Sequence, residues 1–278
     1  MKTWLLLILI CLYNYSALKS QENSLGIQSF EKSIKVELDS MAQLTSDSAK
    51  IEMMDIIQSE LSEVLKNPAS FIFAFDSLKN IGKITSPDNT FRLFSWNIYL
   101  NNNTYRNFAI VQIKPEKDQN CKVIKFIDNT EIDEAANKKI LPETWYGALY
   151  YKIIPVKING NTFYTLLGLD SFSPYVSKKV IDVLRFEKEG LFLGAPIFEK
   201  SGKLMSRMVF SFSSRITMML NYDEKLKTIV FDHLSPSDSR YTGQYEFYGP
   251  DFSFDGLLLS KNKWLFVDDV KPNRPKRK

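Results

Sequence analysis

Apolar residues recur along the chain at two periods, and the change of period separates an N-terminal region from the rest of the chain. From residue 27 to residue 66 they return every three or four positions, which places them on one side of a helix. The segment TSDS interrupts this pattern, with Asp47 as a predicted helix cap. Asn67-Pro68 ends it, because proline cannot continue the hydrogen-bond ladder of a helix. The pattern predicts a hairpin of two amphipathic helices inside a helical region at residues 21–80.

From residue 91 the period changes to two, the spacing of a β-strand with one buried face. FRLFSWNIYL alternates, three asparagines turn the chain, and TYRNFAIVQI returns with the same alternation. Asn159-Gly160 between two apolar runs is a strong hairpin signal, because a type I′ turn needs positive φ at both central residues. About ten such runs joined by short loops predict an antiparallel β domain at residues 81–270.

The predicted fold class is therefore mainly β with an N-terminal helical segment. Its antiparallel hairpins could form a sandwich, an open barrel or a propeller-like body. The segments FYTLLGLD, RMVFSFSS and SFDGLLLS begin roughly 45 residues apart, which is close to the length of one propeller blade. They share little beyond alternation, however, and hairpins in a sandwich explain the same spacing.

The first twenty residues have the layout of a secretory signal peptide. One lysine precedes an apolar run from Trp4 to Tyr13, and small and polar residues follow. The run is too short to span a membrane, and no later stretch is longer, so no transmembrane segment is expected after cleavage. A lipid anchor at Cys11 is disfavoured, because a lipidated cysteine normally follows a small residue and Cys11 follows Ile10. We expect residues 1–20 to be removed and the protein to be exported, either periplasmic or secreted.

Charge and cysteine content narrow the class of protein further. The chain has 36 basic and 32 acidic residues, but the predicted signal and the tail KPNRPKRK at residues 271–278 contain seven of the basic ones. The remaining body is slightly acidic, so a nucleic-acid-binding face is not expected.

The basic tail is predicted to be disordered, with contact to an anionic surface as the alternative. Removal of the signal leaves Cys121 as the only cysteine, so no internal disulfide is expected.

Several stretches together resemble a known group of proteins. They are SPDNTFRLFSWNIY, WYGALYYKII, YTLLGLD, KVIDVL, IVFDHLSP and YGPDFSFDG, in this order. This combination resembles an uncharacterised family of exported proteins of Bacteroidota, over about Phe71 to Val270. The resemblance implies a bacterial cell-envelope setting. It brings no established activity and no catalytic residues.

The segment DFSFDG near the end of the chain has the spacing of a calcium-binding loop. Asp251, Ser253 and Asp255 occupy alternate positions and a glycine follows, as at the first, third, fifth and sixth positions of an EF-hand. The ninth and twelfth positions are Leu259 and Asn262, which leaves the coordination shell incomplete. The sequence therefore favours a turn between two strands, with calcium as the alternative and no other cofactor.

His233 is the only histidine in the chain and follows Asp232 in TIVFDHLSP. Asp232, His233 and Ser235 suggest a catalytic triad, but adjacent residues of a strand point to opposite faces, so Asp232 could not easily orient His233. The favoured interpretation is a strand-end histidine hydrogen-bonded near a turn. A metal site that combines His233 with carboxylates is the alternative.

Aromatic pairs and scattered carboxylates support two hypotheses for function. Trp145 and Tyr146 could form an aromatic surface for a sugar or peptide, although alternating aromatics are more often a half-buried sheet face. The leading hypothesis is a non-enzymatic envelope module that binds a protein or a glycan. The alternative is a hydrolase that uses carboxylates from the loops at Asp170, Asp232 and 251–255. Such a hydrolase could work with or without calcium.

Overall fold

The computed structural model describes residues 25–117, 119–171 and 173–271. The predicted signal peptide at 1–20 lies outside the described residues, as does the basic tail beyond Lys271. No helix within the described ranges is long and apolar enough to cross a membrane.

The chain divides into two compact units. The first contains the described residues up to Ile81 together with Ile110–Ile124. The second contains Gly82–Ala109 and the described residues from Lys125 onward.

The first unit contains the two N-terminal helices that the sequence predicts. Helix α1 covers residues 25–40, and α2 covers Asp47–Leu65. The prediction that Asp47 caps α2 is wrong, because Ser46 is the N-cap residue and Asp47 begins the helix. A carboxylate in the first turn still interacts favourably with the positive end of the helix dipole. The helix ends just before Asn67, whose side chain accepts the backbone N–H of Ala69 at 3.0 Å.

Buried polar groups complete the carboxyl end of α2. The last carbonyls of a helix have no partner within it, so they need donors from elsewhere. The Nε2 atom of Gln112 donates to the carbonyl of Leu65 and to Oγ of Ser70, both at 2.8 Å. The backbone N–H of Cys121 donates to the carbonyl of Lys66 at 2.9 Å. The thiol of Cys121 is buried, and its Sγ accepts from Nε2 of Gln112 at 3.5 Å.

The described residues form fifteen strands, with a short α-helix, α3 (Ile132–Ala135), and a 3-10 helix (Pro142–Thr144) between the fourth and the fifth. In chain order the strands are β1 (Gly82–Thr85), β2 (Phe91–Tyr99), β3 (Tyr105–Ile113), β4 (Lys122–Ile127), β5 (Leu149–Ile158), β6 (Asn161–Asp170), β7 (Val176–Glu187), β8 (Gly190–Leu193), β9 (Phe198–Lys200), β10 (Lys203–Met205), β11 (Met208–Ser213), β12 (Leu220–Asp223), β13 (Thr228–Pro236), β14 (Tyr248–Ser260) and β15 (Lys263–Val267).

These strands build three sheets. The first has the order β1-β2-β3-β4. The second has the order β11-β7-β6-β5, with β8 beside β7 as its fifth strand, and its neighbours are antiparallel. The third has the order β10-β9-β15-β14-β13-β12, in which only the pair of β15 and β9 is parallel. The β5–β6 hairpin turns at Asn159 and Gly160 with φ of 50° and 81°, as the sequence predicts.

The five-stranded and six-stranded sheets share one hydrophobic core. The indole Nε1 of Trp264 on β15 donates to Oγ1 of Thr165 on β6 at 3.0 Å, which ties the two sheets together inside that core. The predicted class, mainly β with an N-terminal helical segment, is confirmed, and these two sheets form a sandwich. Apolar side chains of both sheets form its centre, among them Ile154, Val156, Leu167, Ile181, Phe198, Ile229, Phe231 and Leu257.

Candidate binding groove

A cavity of about 700 Å³ lies in the second unit where four segments meet. These segments are the loop before β7, the turn after β11, the end of β13 and the residues around the start of β14. Its lining includes Tyr175, Arg215, Ser235, Glu246 and Phe247. We call this cavity the aromatic groove.

Strand pairing brings the distant parts of the aromatic groove together. On β13 and β14, Ser235 lies opposite Gly249 and Pro236 lies opposite Tyr248. Gly249 also makes room for its neighbour, because a Cβ atom there would come 3.1 Å from Cδ1 of Ile216. A side chain at this position would push Ile216 aside by a few tenths of an ångström.

Two aromatic rings of the groove are exposed, and neighbouring residues hold Phe247 and Tyr248 in place. The side chain of Tyr175 is 62% exposed and that of Phe247 is 37% exposed. The ring of Phe247 stacks on Tyr241 with 4.1 Å between centroids and 21° between planes. The hydroxyl of Tyr248 accepts the backbone N–H of Gly243 at 3.0 Å. Rings fixed in this way lose little freedom when a ligand covers them.

Hydrogen bonds also fix the loop that carries Tyr175. The backbone N–H of Ser214 donates to the carbonyl of Tyr175 at 2.9 Å, and Oγ of Ser214 donates to the carbonyl of Pro174 at 2.6 Å. Beside this loop, Arg215 and Glu246 supply exposed charges of opposite sign. The groove thus combines apolar ring faces with donors and acceptors on one open surface.

Comparison with known protein families, curated proteins and solved structures finds no match to this chain. The case for a function therefore rests on the chemistry of the molecule itself.

The predicted histidine site forms a small partly exposed cluster. Nδ1 of His233 lies 2.8 Å from Oδ2 of Asp255, and Nε2 lies 4.0 Å from Oδ2 of Asp251. The hydrogen bond to Asp255 raises the pKa of His233, and the charges of both carboxylates add to the effect. As expected from alternation, Asp232 does not orient the histidine, because its Oδ2 accepts the backbone N–H of Met219 at 2.6 Å.

A bulge explains why Asp255 is the partner of His233. Asp232 pairs with Phe254 across the β13–β14 ladder, but the next pair is Leu234 with Pro250. His233 therefore stands opposite three residues, 251–253, which turns its ring along β14. Sequence alternation alone does not predict such an irregularity.

The segment with calcium-loop spacing lies inside β14, so its interpretation as a turn between two strands is wrong. It is the β14 side of the bulge, where Phe252 has φ of 73° and is 92% exposed. Oδ1 of Asp251 accepts from the backbone N–H and the hydroxyl of Ser253, at 3.1 and 2.7 Å. Among the described residues no group of three or more His, Cys, Asp or Glu could hold a metal ion. Calcium binding by this segment stays a prediction.

Trp145 and Tyr146 are buried, so the hypothesis of an aromatic surface at these residues is wrong. They are 0% and 4% exposed, because their polar ends find partners inside the protein. The indole N–H of Trp145 donates to the hydroxyl of Tyr150 at 3.1 Å, and the hydroxyl of Tyr146 donates to Oδ2 of Asp182 at 2.5 Å. The same oxygen of Asp182 lies 3.2 Å from Nε of Arg207.

Asp170 lies in another environment from the histidine cluster. It ends β6, is 5% exposed and lines a separate cavity of about 250 Å³. Its charged neighbours are Lys178, Asp128 and Asp133. The carboxylates proposed for a hydrolase therefore fall into two groups, with Asp232 and the 251–255 segment in the other.

Proposed function

We propose that the protein is an exported, non-enzymatic binding module that holds an oligosaccharide in the aromatic groove. One observation carries the proposal: the exposed rings of Tyr175 and Phe247 line one open cavity, and that of Phe247 is fixed by stacking on Tyr241. Flat rings offer apolar area to the C–H faces of sugars at low entropic cost. Export is part of the proposal because of the signal-peptide pattern at residues 1–20.

The polar groups of the groove favour a sugar over a protein partner. Sugar hydroxyls both donate and accept, and Arg215, Glu246 and Ser235 offer groups of both kinds. A volume of about 700 Å³ is in the range of ordinary ligand pockets.

Affinity electrophoresis tests this proposal on the chain without its predicted signal. Native gels that contain xyloglucan, laminarin, dextran or mannan are compared with gels that contain none. We expect one of these polysaccharides to slow the protein. Tyr175→Ala and Phe247→Ala should each weaken the retardation about tenfold, equivalent to about 1.4 kcal/mol.

Phe252→Ala is the matched control, since Phe252 is a more exposed phenylalanine that does not line the groove. It should leave the retardation unchanged. Equal loss in the control, or mobility unaffected by all four polysaccharides, would contradict the proposal. New reducing ends in any of the polysaccharides would instead favour the hydrolase hypothesis.

A further inference from the structure

The cavity of about 250 Å³ beside Asp170 has carboxylate and amide oxygens in its lining. It lies in the second unit, between the start of β3, residues 128–132 and the end of β6. It shares no lining residue with the aromatic groove. Three polar side chains define its chemistry: Asn107, Asp128 and Asp170.

The carboxylate of Asp170 is almost completely buried. The residue is 5% exposed, and within residues 25–117, 119–171 and 173–271 its side chain makes no hydrogen bond. Burial raises its pKa to about 7, and the charges of Asp128 and Asp133 add to this effect while Lys178 opposes it. A donor that enters the cavity can therefore stabilise the ionised form of Asp170.

Asn107 provides a second acceptor that lacks a donor. The residue is 5% exposed, and its Oδ1 is buried without a hydrogen-bond partner in the described chain. Its Nδ2 donates to Oδ2 of Asp128 at 3.2 Å, and its backbone N–H donates to the same oxygen at 2.8 Å. Exchanging the amide oxygen and nitrogen would bring two acceptors together, so the orientation of the amide is fixed.

The side chain of Asn107 is also locked from behind. Gly147 has φ of 82°, and a Cβ atom there would lie 2.3 Å from Nδ2 of Asn107. This close approach keeps the amide against Asp128. Burial raises the pKa of Asp128 as well, partly offset by the two hydrogen bonds from Asn107.

The cations near the cavity already have partners. Nζ of Lys178 lies 3.0 Å from Oδ2 of Asp133, and the guanidinium of Arg106 donates to the backbone carbonyl of Asp128. The titratable groups that line the cavity or act on Asp170 are Tyr105, Asp128, Glu131, Asp133, Tyr146 and Lys178.

We propose that this cavity binds the ammonium group of a small primary amine, whose three N–H donors meet Oδ1 of Asn107 and the carboxylates of Asp128 and Asp170. An ammonium can donate to the unpartnered Oδ1 of Asn107 and to both carboxylates at once. A bare divalent cation fits less well, because the described residues include no cluster of three His, Cys, Asp or Glu. The cavity is also larger than an ion requires.

The proposal predicts a particular dependence on pH. Asp170 accepts an ammonium donor best when it is ionised, and its pKa is about 7. A primary amine stays protonated up to about pH 10. Affinity should therefore rise about tenfold between about pH 6 and pH 8, as Asp170 loses its proton.

Isothermal titration calorimetry tests the proposal with chlorides of methylammonium, ethanolamine and putrescine. Tetramethylammonium chloride is the matched control ligand, because it has the same charge as methylammonium but no N–H donor. We expect at least one amine to bind and tetramethylammonium not to bind. Asp170→Asn should weaken binding about tenfold and abolish the dependence on pH.

Asp232→Asn is the matched control variant, since burial also raises the pKa of Asp232 but it lies outside this cavity. It should leave both affinity and pH profile unchanged. The proposal is overturned if none of the three amines binds at about 10 mM. It is also overturned if tetramethylammonium binds equally well, or if Asp170→Asn, checked by its melting curve, binds like the unsubstituted protein.

Discussion

Two charged pairs in the second unit have similar chemistry and opposite surroundings. Arg207 and Asp182 are 3.2 Å apart with both side chains 0% exposed, whereas His233 and Asp255 are 2.8 Å apart with the histidine 45% exposed. We expect the buried Arg207–Asp182 pair to contribute more to stability than the His233–Asp255 pair, although its contact is longer. Water solvates the exposed pair when it separates, but nothing replaces a lost partner in the core.

Breaking the buried pair should have the largest effect. Arg207→Met leaves the carboxylate of Asp182 buried without its cationic partner, while among the described residues the hydroxyl of Tyr146 and the backbone N–H of Val183 still donate to it. We expect a loss of about 3–5 kcal/mol in the free energy of unfolding, measured by urea denaturation.

The double variant Arg207→Met/Asp182→Asn is the control for this prediction. It removes both charges, so it should recover a substantial part of the lost stability. A loss below about 1 kcal/mol in Arg207→Met would mean that burial does not govern the pair.

Asp170 extends the comparison to a buried carboxylate without a hydrogen bond. Burial is the largest cause of the rise in its pKa from 3.8 to about 7. The folded state therefore holds a proton that the unfolded state releases between these values, so the contribution of Asp170 to stability is most favourable below about pH 4 and becomes less favourable as pH rises towards 7. Asp170→Asn should remove this fall, which makes it more stable than the unsubstituted protein by roughly 2–4 kcal/mol at pH 8.

The measurement is urea denaturation of both proteins between about pH 4 and pH 8. The two stabilities should converge at the acid end of the range. A constant difference at every pH would contradict the role of the Asp170 proton.

Removing one hydroxyl group from a buried tyrosine, Tyr146, and from a more exposed one, Tyr248, compares the same two environments. Tyr146→Phe removes a donor to the buried carboxylate of Asp182, which should cost about 1.5–3 kcal/mol. Tyr248→Phe removes an acceptor for the exposed N–H of Gly243, which water can replace, so it should cost less than about 1 kcal/mol. Thermal or urea unfolding measures both, and equal losses would contradict the argument from burial.

Local sequence patterns predict the elements of this fold well. The helices, the alternating strands and the turn at Asn159 and Gly160 all depend on residues that are neighbours in the chain. Periodicity and φ requirements are local properties, so one sequence is enough to read them.

The sites depend on contacts between distant residues, which local patterns do not contain. Tyr175, Arg215 and Phe247 meet in the groove only because β11 pairs with β7 and β13 pairs with β14. The aromatic-rich stretch YTGQYEFY is the one sequence signal for the groove. Nothing near Trp145 and Tyr146 indicates that Asp182 would satisfy Tyr146 from 36 residues away.

The bulge at His233 also cannot be predicted from the alternation of residues within a strand. Alternation correctly separates Asp232 from the histidine, but the irregular register then supplies Asp255. A bulge depends on how two strands pair, so the spacing within either strand does not reveal it.

The exposed pair should show the smallest effect on stability and a clear spectroscopic signal. Its hydrogen bond raises the pKa of His233, so the pair stabilises the fold fully below about pH 6.5 and loses that contribution as pH rises through the higher folded value. The contribution should stay below about 1 kcal/mol, because the histidine is 45% exposed and solvent screens the pair. NMR can follow this titration directly, since the chain has one histidine.

Asp255→Asn should lower the pKa of His233 towards its ordinary value of 6.5, with little change in unfolding free energy. Asp251→Asn is the matched control, because its carboxylate acts on the ring from 4.0 Å without a hydrogen bond to it. It should lower the pKa less. An equal drop in both variants would mean that charge alone, and not the hydrogen bond at the bulge, sets the titration of His233.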